Sequence, residues 1–313
     1  MPEAYHWISQ SNVTDPGTLK AALDELPDGL AGLQRLSQEL VFHYRAGGDW
    51  DAAGVARDRI REVDIRYVED MLRRLTELEG DLSSERAPSQ RIVGCCRDYT
   101  VLLVAMLRHK GIPARARVGF ATYFAQDWIL DHVVAEVWDE ADARWRLVEA
   151  QVGEDFVPAD GPGFDPLDIP RDLFLTGPKA WLEARAGVRE HERFAVAPDV
   201  DVPATRGWPY LRHNLLHDLA AVAKTEMILW DEWGLMTGPP PRISNATHAR
   251  RQLEMLDHVA RLLADPDCPV ENIEEWAQRE GLAVTETVTS YSPASGEPLT
   301  VDVRRALGSL DTA

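Results

Sequence analysis

Apolar residues recur at steps of three and four through Ile60, Val63, Tyr67, Met71, Leu75 and Leu78, the spacing of one face of an amphipathic helix. Residues 17–82 are therefore read as helical, with Gly80 as the break. The polar stretch 83–90, holding Pro88, reads as a loop. Residues 101–107 are apolar at every position, so the helix expected to start near Cys96 must be enclosed by protein on all sides, and Gly111 and Pro113 mark its end. Three runs of strand character follow, at 114–124, 132–138 and 144–150, and the polar residues 139–143 predict a hairpin between the last two. A buried helix followed by antiparallel strands is an α+β order, not the alternating βαβ of a nucleotide fold.

After Gly153 the pattern changes. Pro158, Pro162, Pro166 and Pro170 punctuate a loop-rich connection, and helices are expected at 178–186, 209–233, 244–264 and 270–280. Two β-like stretches, 284–291 and 299–303, read as a terminal hairpin turning at 293–298. The expected division is a core with N-terminal helices at 1–155 and, packed on it, a mainly helical extension with a terminal β-hairpin at 156–313. No internal repeat or low-complexity segment is evident.

Composition narrows the function. With 313 residues and 45% hydrophobic content the chain can bury a sizeable core. Its net charge of −19 opposes extended contact with nucleic-acid phosphates or anionic lipid, so neither is expected as a partner. Three cysteines cannot form a disulfide framework and point to a reducing compartment. The opening MPEAYHWISQ lacks a basic and an apolar leader region, and no run of about 18 apolar residues occurs, so a cytoplasmic protein is expected. Only four of the 33 basic residues are lysine, as a high-GC bacterial genome would produce.

Cys96 falls where the buried helix begins, and the unpaired N–H groups there favour a thiolate. A thiolate nucleophile needs a base and an orienting acid, which the next strands can supply as His132 and Glu149. In a hairpin with an even-numbered loop, paired indices sum to an odd number, so residues 132 and 149 share a face. With Asp139 paired to Arg144, Glu149 falls opposite Val134, one diagonal step from His132. Cys95, just before the helix, is expected to point elsewhere and to pack. Asp131 should face away from His132.

Four segments carry a family resemblance: Gly-Cys-Cys-Arg-Asp-Tyr-Thr at 94–100, Arg-His-Lys-Gly-Ile-Pro-Ala-Arg at 108–115, Asp-His-Val-Val-Ala-Glu-Val-Trp at 131–138 and Trp-Arg-Leu-Val-Glu-Ala at 145–150. Together they resemble the transglutaminase-like superfamily, a papain-related fold, over about residues 85–152. The resemblance implies Cys96 as nucleophile, His132 as base and Glu149 in the place of the usual Asp. It also implies an acyl-enzyme formed at an amide or thioester carbonyl and no cofactor. Gln90, six residues before Cys96, occupies the spacing of the oxyanion glutamine of papain-like enzymes. His213, His217, Glu226 and Trp230, on the helix expected at 209–233, are the candidates for substrate binding. His213 and His217 stand one turn apart, but without a third ligand they are not assigned to a metal. The substrate class is a small-molecule or peptide acyl compound, with an amine acceptor or carrier protein as a further partner. Hydrolysis by a peptidase or amidase and amide formation in a small-molecule pathway both fit, and an inactive binding protein is the reading from another class.

Overall fold

The computed structural model describes residues 3–237 and 247–308. Helix α1 (Leu30–Leu40) runs directly into a short strand, β1 (Val41–His43). A 3-10 stretch at Arg57–Asp64 precedes α2 (Val68–Leu78). The continuous helical reading of 17–82 is thus corrected. The β-branched and aromatic run Val41-Phe42-His43 is taken by parallel pairing with β2 (Ile92–Gly94), and Ile65 and Tyr67 are extended (ψ 113 and 139). The apolar face survives the break, since Val63, Met71 and Leu75 are all buried.

Helix α3 (Cys96–His109) is buried at every position from Cys96 through Arg108. The Asp98 carboxylate accepts the Cys95 N–H at 2.8 Å, closing the helix start. Gly94 is required by close approach: a Cβ there would sit 2.6 Å from Asp98 Oδ2 and 3.0 Å from Val41 Cγ1. Gly111, at φ +76, turns the chain out of the helix.

Strands β3 (Ala114–Ala121), β4 (Ile129–Asp139) and β5 (Arg144–Val148) form antiparallel neighbours, as the sequence pattern requires. Further along come β6 (Phe174–Thr176), α4 (Gly177–Arg185), β7 (Phe194–Ala195) and α5 (Gly207–Val222). The main sheet has the order β5-β4-β3-β6, with β7 added parallel to the start of β4. Two of its strands therefore come from beyond residue 156, and the sheet crosses the boundary expected at 155/156. Gly119 makes room for β6, because a Cβ there would lie 2.2 Å from the Leu175 carbonyl oxygen.

The helix expected over 209–233 stops at Val222. Lys224 adopts φ +63 and the Thr225 N–H turns back to the Ala220 carbonyl, ending the helix without the glycine that usually announces this turn. The chain then forms β8 (Asp231–Glu232), α6 (Thr247–Ala264), α7 (Val270–Ala277), β9 (Thr287–Ser290), β10 (Leu299–Asp302) and α8 (Arg304–Leu307). Residues 244–246 of the helix expected over 244–264 lie outside the described residues. The terminal hairpin is present as β9–β10, and β8 pairs with β9 to make a third strand.

One apolar core joins α1, α2 and α3 to β3, β4 and β5 through residues such as Leu33, Met71, Leu102, Ala135 and Val148. A second joins α4, α5, α6 and α7 to Phe120 and Ile129. The architecture is α+β. Among the described residues no helix is long and apolar enough to cross a membrane.

Candidate active site

Cys96 is the first residue of α3, where amide N–H groups have no intrahelical acceptor and the helix dipole favours negative charge. The Cys95 thiol donates a hydrogen bond to the Cys96 sulfur and holds the Cys96 pKa well below the usual thiol range; burial opposes this, while His132 reinforces it. The proton left on Cys95 is correspondingly hard to remove. Cys95 therefore does not point elsewhere, as the sequence suggested, but stands beside its neighbour at the same cavity.

His132 lies on β4 opposite Gly119 of β3. Asp139 pairs with Arg144, so the hairpin loop is even and Glu149, just past β5, reaches the imidazole. The His132 Nε2–H donates to Glu149 Oε1 and Oε2 at 3.0 and 2.9 Å, which leaves Nδ1 to face Cys96. Glu149 is fully buried and also accepts from the Tyr123 hydroxyl at 2.5 Å and the Gln151 N–H at 3.0 Å. Gln34 and Ser37 of α1 donate to the carbonyls of Glu149 and Ala150, fixing the backbone that carries the acid. The rings of Tyr123, Phe124 and Phe174 pack edge-on around the imidazole. Burial pulls the His132 pKa down, but the Glu149 charge and the Cys96 hydrogen bond outweigh it and push it to about 10. Burial likewise raises Glu149, and the imidazolium outweighs that and holds the carboxyl low. Both shifts run in the direction that favours a thiolate–imidazolium pair.

The sulfur and imidazole open on a cavity of about 1080 Å³ with a mostly apolar wall, large enough for a drug-sized or peptide ligand. Its wall combines both halves of the chain, with Tyr44 on one side and Tyr210, His213 and Trp230 on the other. Asp131 alternates with His132, as a regular strand dictates, and points toward α5, accepting from Tyr210 Oη at 2.7 Å and Asn214 Nδ2 at 2.8 Å. The cavity nevertheless reaches it. Burial, with the Cys96 charge, pushes the Asp131 pKa up to about 7.

Residues 65–150 match the model of the transglutaminase-like superfamily. This segment is a transglutaminase-like domain. The helix that presents Cys96 and the strands that present His132 and Glu149 all lie inside it. A solved structure from Cytophaga hutchinsonii, described as a candidate cysteine protease, is similar over 48% of this chain and 43% of its own, with 16% identity and a TM-score of 0.32. The chain thus spans less than half of that neighbour's length. No curated protein matches the chain.

Not every residue singled out in the sequence meets the transglutaminase-like site. Gln90 is corrected. Its Oε1 accepts the Ala87 N–H at 3.0 Å and its Nε2 donates to Glu79 at 3.0 Å, so the amide is consumed by a 3-10 turn away from the cavity. Glu226 is corrected as well, being buried against Arg108 at 3.2 Å and Ser11 at 2.7 Å. His217 stacks on His213 at 4.2 Å, and its Nε2 donates to the Asp231 carbonyl at 2.9 Å, so it stands behind the wall and not in it. His213 and Trp230 do line the cavity, with the Trp230 indole N–H held by Asp64 at 3.0 Å. Sequence reasoning missed His43 and Tyr44. Their signal was the β-forming run that starts at Val41, hidden inside a segment read as helical.

Proposed function

We propose that the protein is a cysteine-dependent enzyme that acts at an amide or thioester carbonyl through an acyl-enzyme on Cys96. The observation that carries this is the unbroken chain Glu149–His132–Cys96, ending at a helix N-terminus and opening on the cavity. The Cys96 thiolate attacks the carbonyl carbon, and the imidazolium of His132 gives its proton to the departing amine or thiol. Water or an amine then gives a proton to His132 as it attacks the thioester; the carbon–sulfur bond breaks and the thiolate returns. Glu149 keeps the imidazole oriented through Nε2 and stabilises its charged form.

One observation favours an amine as acceptor. Asp131 presents a carboxyl with a pKa near 7 at the cavity beside His132, suited to hold an ammonium group and to take its proton. Intact-mass measurement after incubation with acyl thioesters, short peptides and 4-nitrophenyl acetate tests the reading. An acyl adduct on Cys96 that is absent from Cys96→Ala is expected, and methylamine should discharge it faster than water does. Equal labelling of Cys96→Ala sinks the acyl-enzyme. Loss of the methylamine preference in Asp131→Asn, with hydrolysis retained, is expected if Asp131 serves the acceptor.

A further inference from the structure

His43 ends β1, and the parallel register sets it directly opposite Gly94, two residues before the nucleophile. Its Nδ1 accepts two backbone N–H bonds, from Arg45 at 3.1 Å and Ala46 at 2.9 Å. A ring nitrogen that accepts has its lone pair in the plane of the ring, so the single proton of the neutral imidazole must sit on Nε2. Burial pushes the pKa of this ring down to about 4, the Cys96 charge opposing and His132 assisting, so the ring stays neutral where His132 is charged. The ring stacks on Tyr44 at 5.5 Å with planes 11° apart, which fixes its orientation. It lines the cavity with Cys96 and His132, and Nε2 has no hydrogen-bond partner among the described residues.

A neutral N–H donor, held in one tautomer and left unpaired beside a nucleophile, is what a developing oxyanion requires. We propose that the Nε2–H of His43, together with the backbone N–H of Cys96, holds the substrate carbonyl oxygen while the thiolate attacks. This rests on the acyl-enzyme reading above. In the step, the sulfur lone pair forms the S–C bond and the C=O π pair moves onto oxygen. His43 donates a hydrogen bond to that oxygen without giving up its proton. The oxygen pair re-forms the carbonyl as the leaving group departs with the proton from His132. The role that spacing suggested for Gln90 thus falls to a residue about fifty positions further upstream, brought in by the β1–β2 pairing.

Two reactions of one sulfur test the assignment. Acylation by 4-nitrophenyl acetate passes through an oxyanion, whereas alkylation by iodoacetamide does not. Three full-length variants are compared with the wild type: His43→Leu, His43→Asn and His43→Gln. Asn offers an oxygen where Nδ1 accepts from the turn but is too short to donate at Nε2. Gln places an N–H near the position of Nε2. Acylation of Cys96 is expected to fall about 10²–10³-fold in His43→Leu and His43→Asn, with alkylation within about twofold of wild type and partial recovery of acylation in His43→Gln. If His43→Leu does not fold, by circular dichroism, the Asn and Gln variants decide alone. Wild-type acylation in His43→Asn would reduce the ring to a turn-former, and alkylation falling in step with acylation would mean that it acts on the sulfur; either result overturns the proposal. Absence of any acylation of wild-type Cys96 overturns the acyl-enzyme itself, a failure distinguishable from the other two.

Discussion

Strand β4 carries two buried charged clusters four residues apart, one around His132 and one around Glu136. Glu136 receives Arg115 and Arg117 at 2.8 Å and Arg171 at 2.7 Å, and Arg117 also pairs with Asp218 at 2.8 Å. Arg115 is further clamped between the faces of Trp7 and Trp145. Burial raises Glu136, and the three guanidiniums overcome it and hold the carboxyl far below its ordinary range. Guanidinium does not lose its proton in proteins, so this cluster is fixed in one state. The His132 cluster is equally buried, yet it ends in a sulfur and an imidazole that can exchange a proton, and it opens on the cavity. Buried charge therefore does not mark the site by itself. What separates the two is a transferable proton next to open space.

The contrast can be broken at either cluster. The largest effect is expected from Glu149→Gln, which removes the charge that sustains the imidazolium. Cys96 acylation should fall about 10²–10⁴-fold, and the alkaline limb of its pH–rate profile should move down from near 10. The sign follows from the raised His132 pKa. The stability that His132 gains from its partners is fully present below about 6.5 and is lost as pH rises through about 10, so the variant should also lose the corresponding alkaline decline in unfolding free energy. A loss of acylation below tenfold would erase the distinction between the clusters.

Next comes Glu136→Gln, which leaves Arg115 without a carboxylate partner and Arg117 with Asp218 alone. Urea unfolding should show a loss of about 3–5 kcal/mol, while acylation per folded molecule stays at the wild-type rate. A drop in acylation at unchanged stability would make the second cluster part of the site. The smallest effect belongs to Cys95→Ala. Without the donated thiol hydrogen bond, the acid limb of Cys96 alkylation should shift to higher pH and the rate at neutral pH should fall roughly a few-fold. In the wild type, Cys95 and Cys268, both with raised pKa values, should be alkylated only after Cys96. An unshifted profile in Cys95→Ala would remove Cys95 from the account.

The part of the site that the sequence announced lies within one stretch of chain. A hairpin was legible in the stretch 139–143, and on the condition of an even loop it placed Glu149 by His132, because strand register transmits a local turn rigidly over several residues; the Asp139–Arg144 pairing meets that condition. The apolar run at 101–107 likewise announced an enclosed helix, and α3 is enclosed. Gln90 misled because spacing to the nucleophile says nothing of a 3-10 turn that consumes its amide. Glu226 misled for a related reason: the helix that was to carry it ends at Val222, through a left-handed lysine that no glycine announced. His43 was hidden because a parallel pair of three-residue strands leaves no local periodicity. Its partner is specified only by the folded whole.

That pair has a kinetic consequence. Joining β1 to β2 closes a loop of about fifty residues for a ladder only three residues long, so its entropic cost is set against few contacts. The Cys95 thiol, by contrast, is supplied by the residue adjacent to Cys96, and His132 by a strand packed on the same helix. A transient opening confined to β1 would leave an acidic, alkylatable thiol that has lost turnover. Reactivity toward small electrophiles and productive acyl transfer would then report different fractions of the same population, and hydrogen exchange at the Tyr44 amide, which donates to the Gly94 carbonyl, would measure the gap between them.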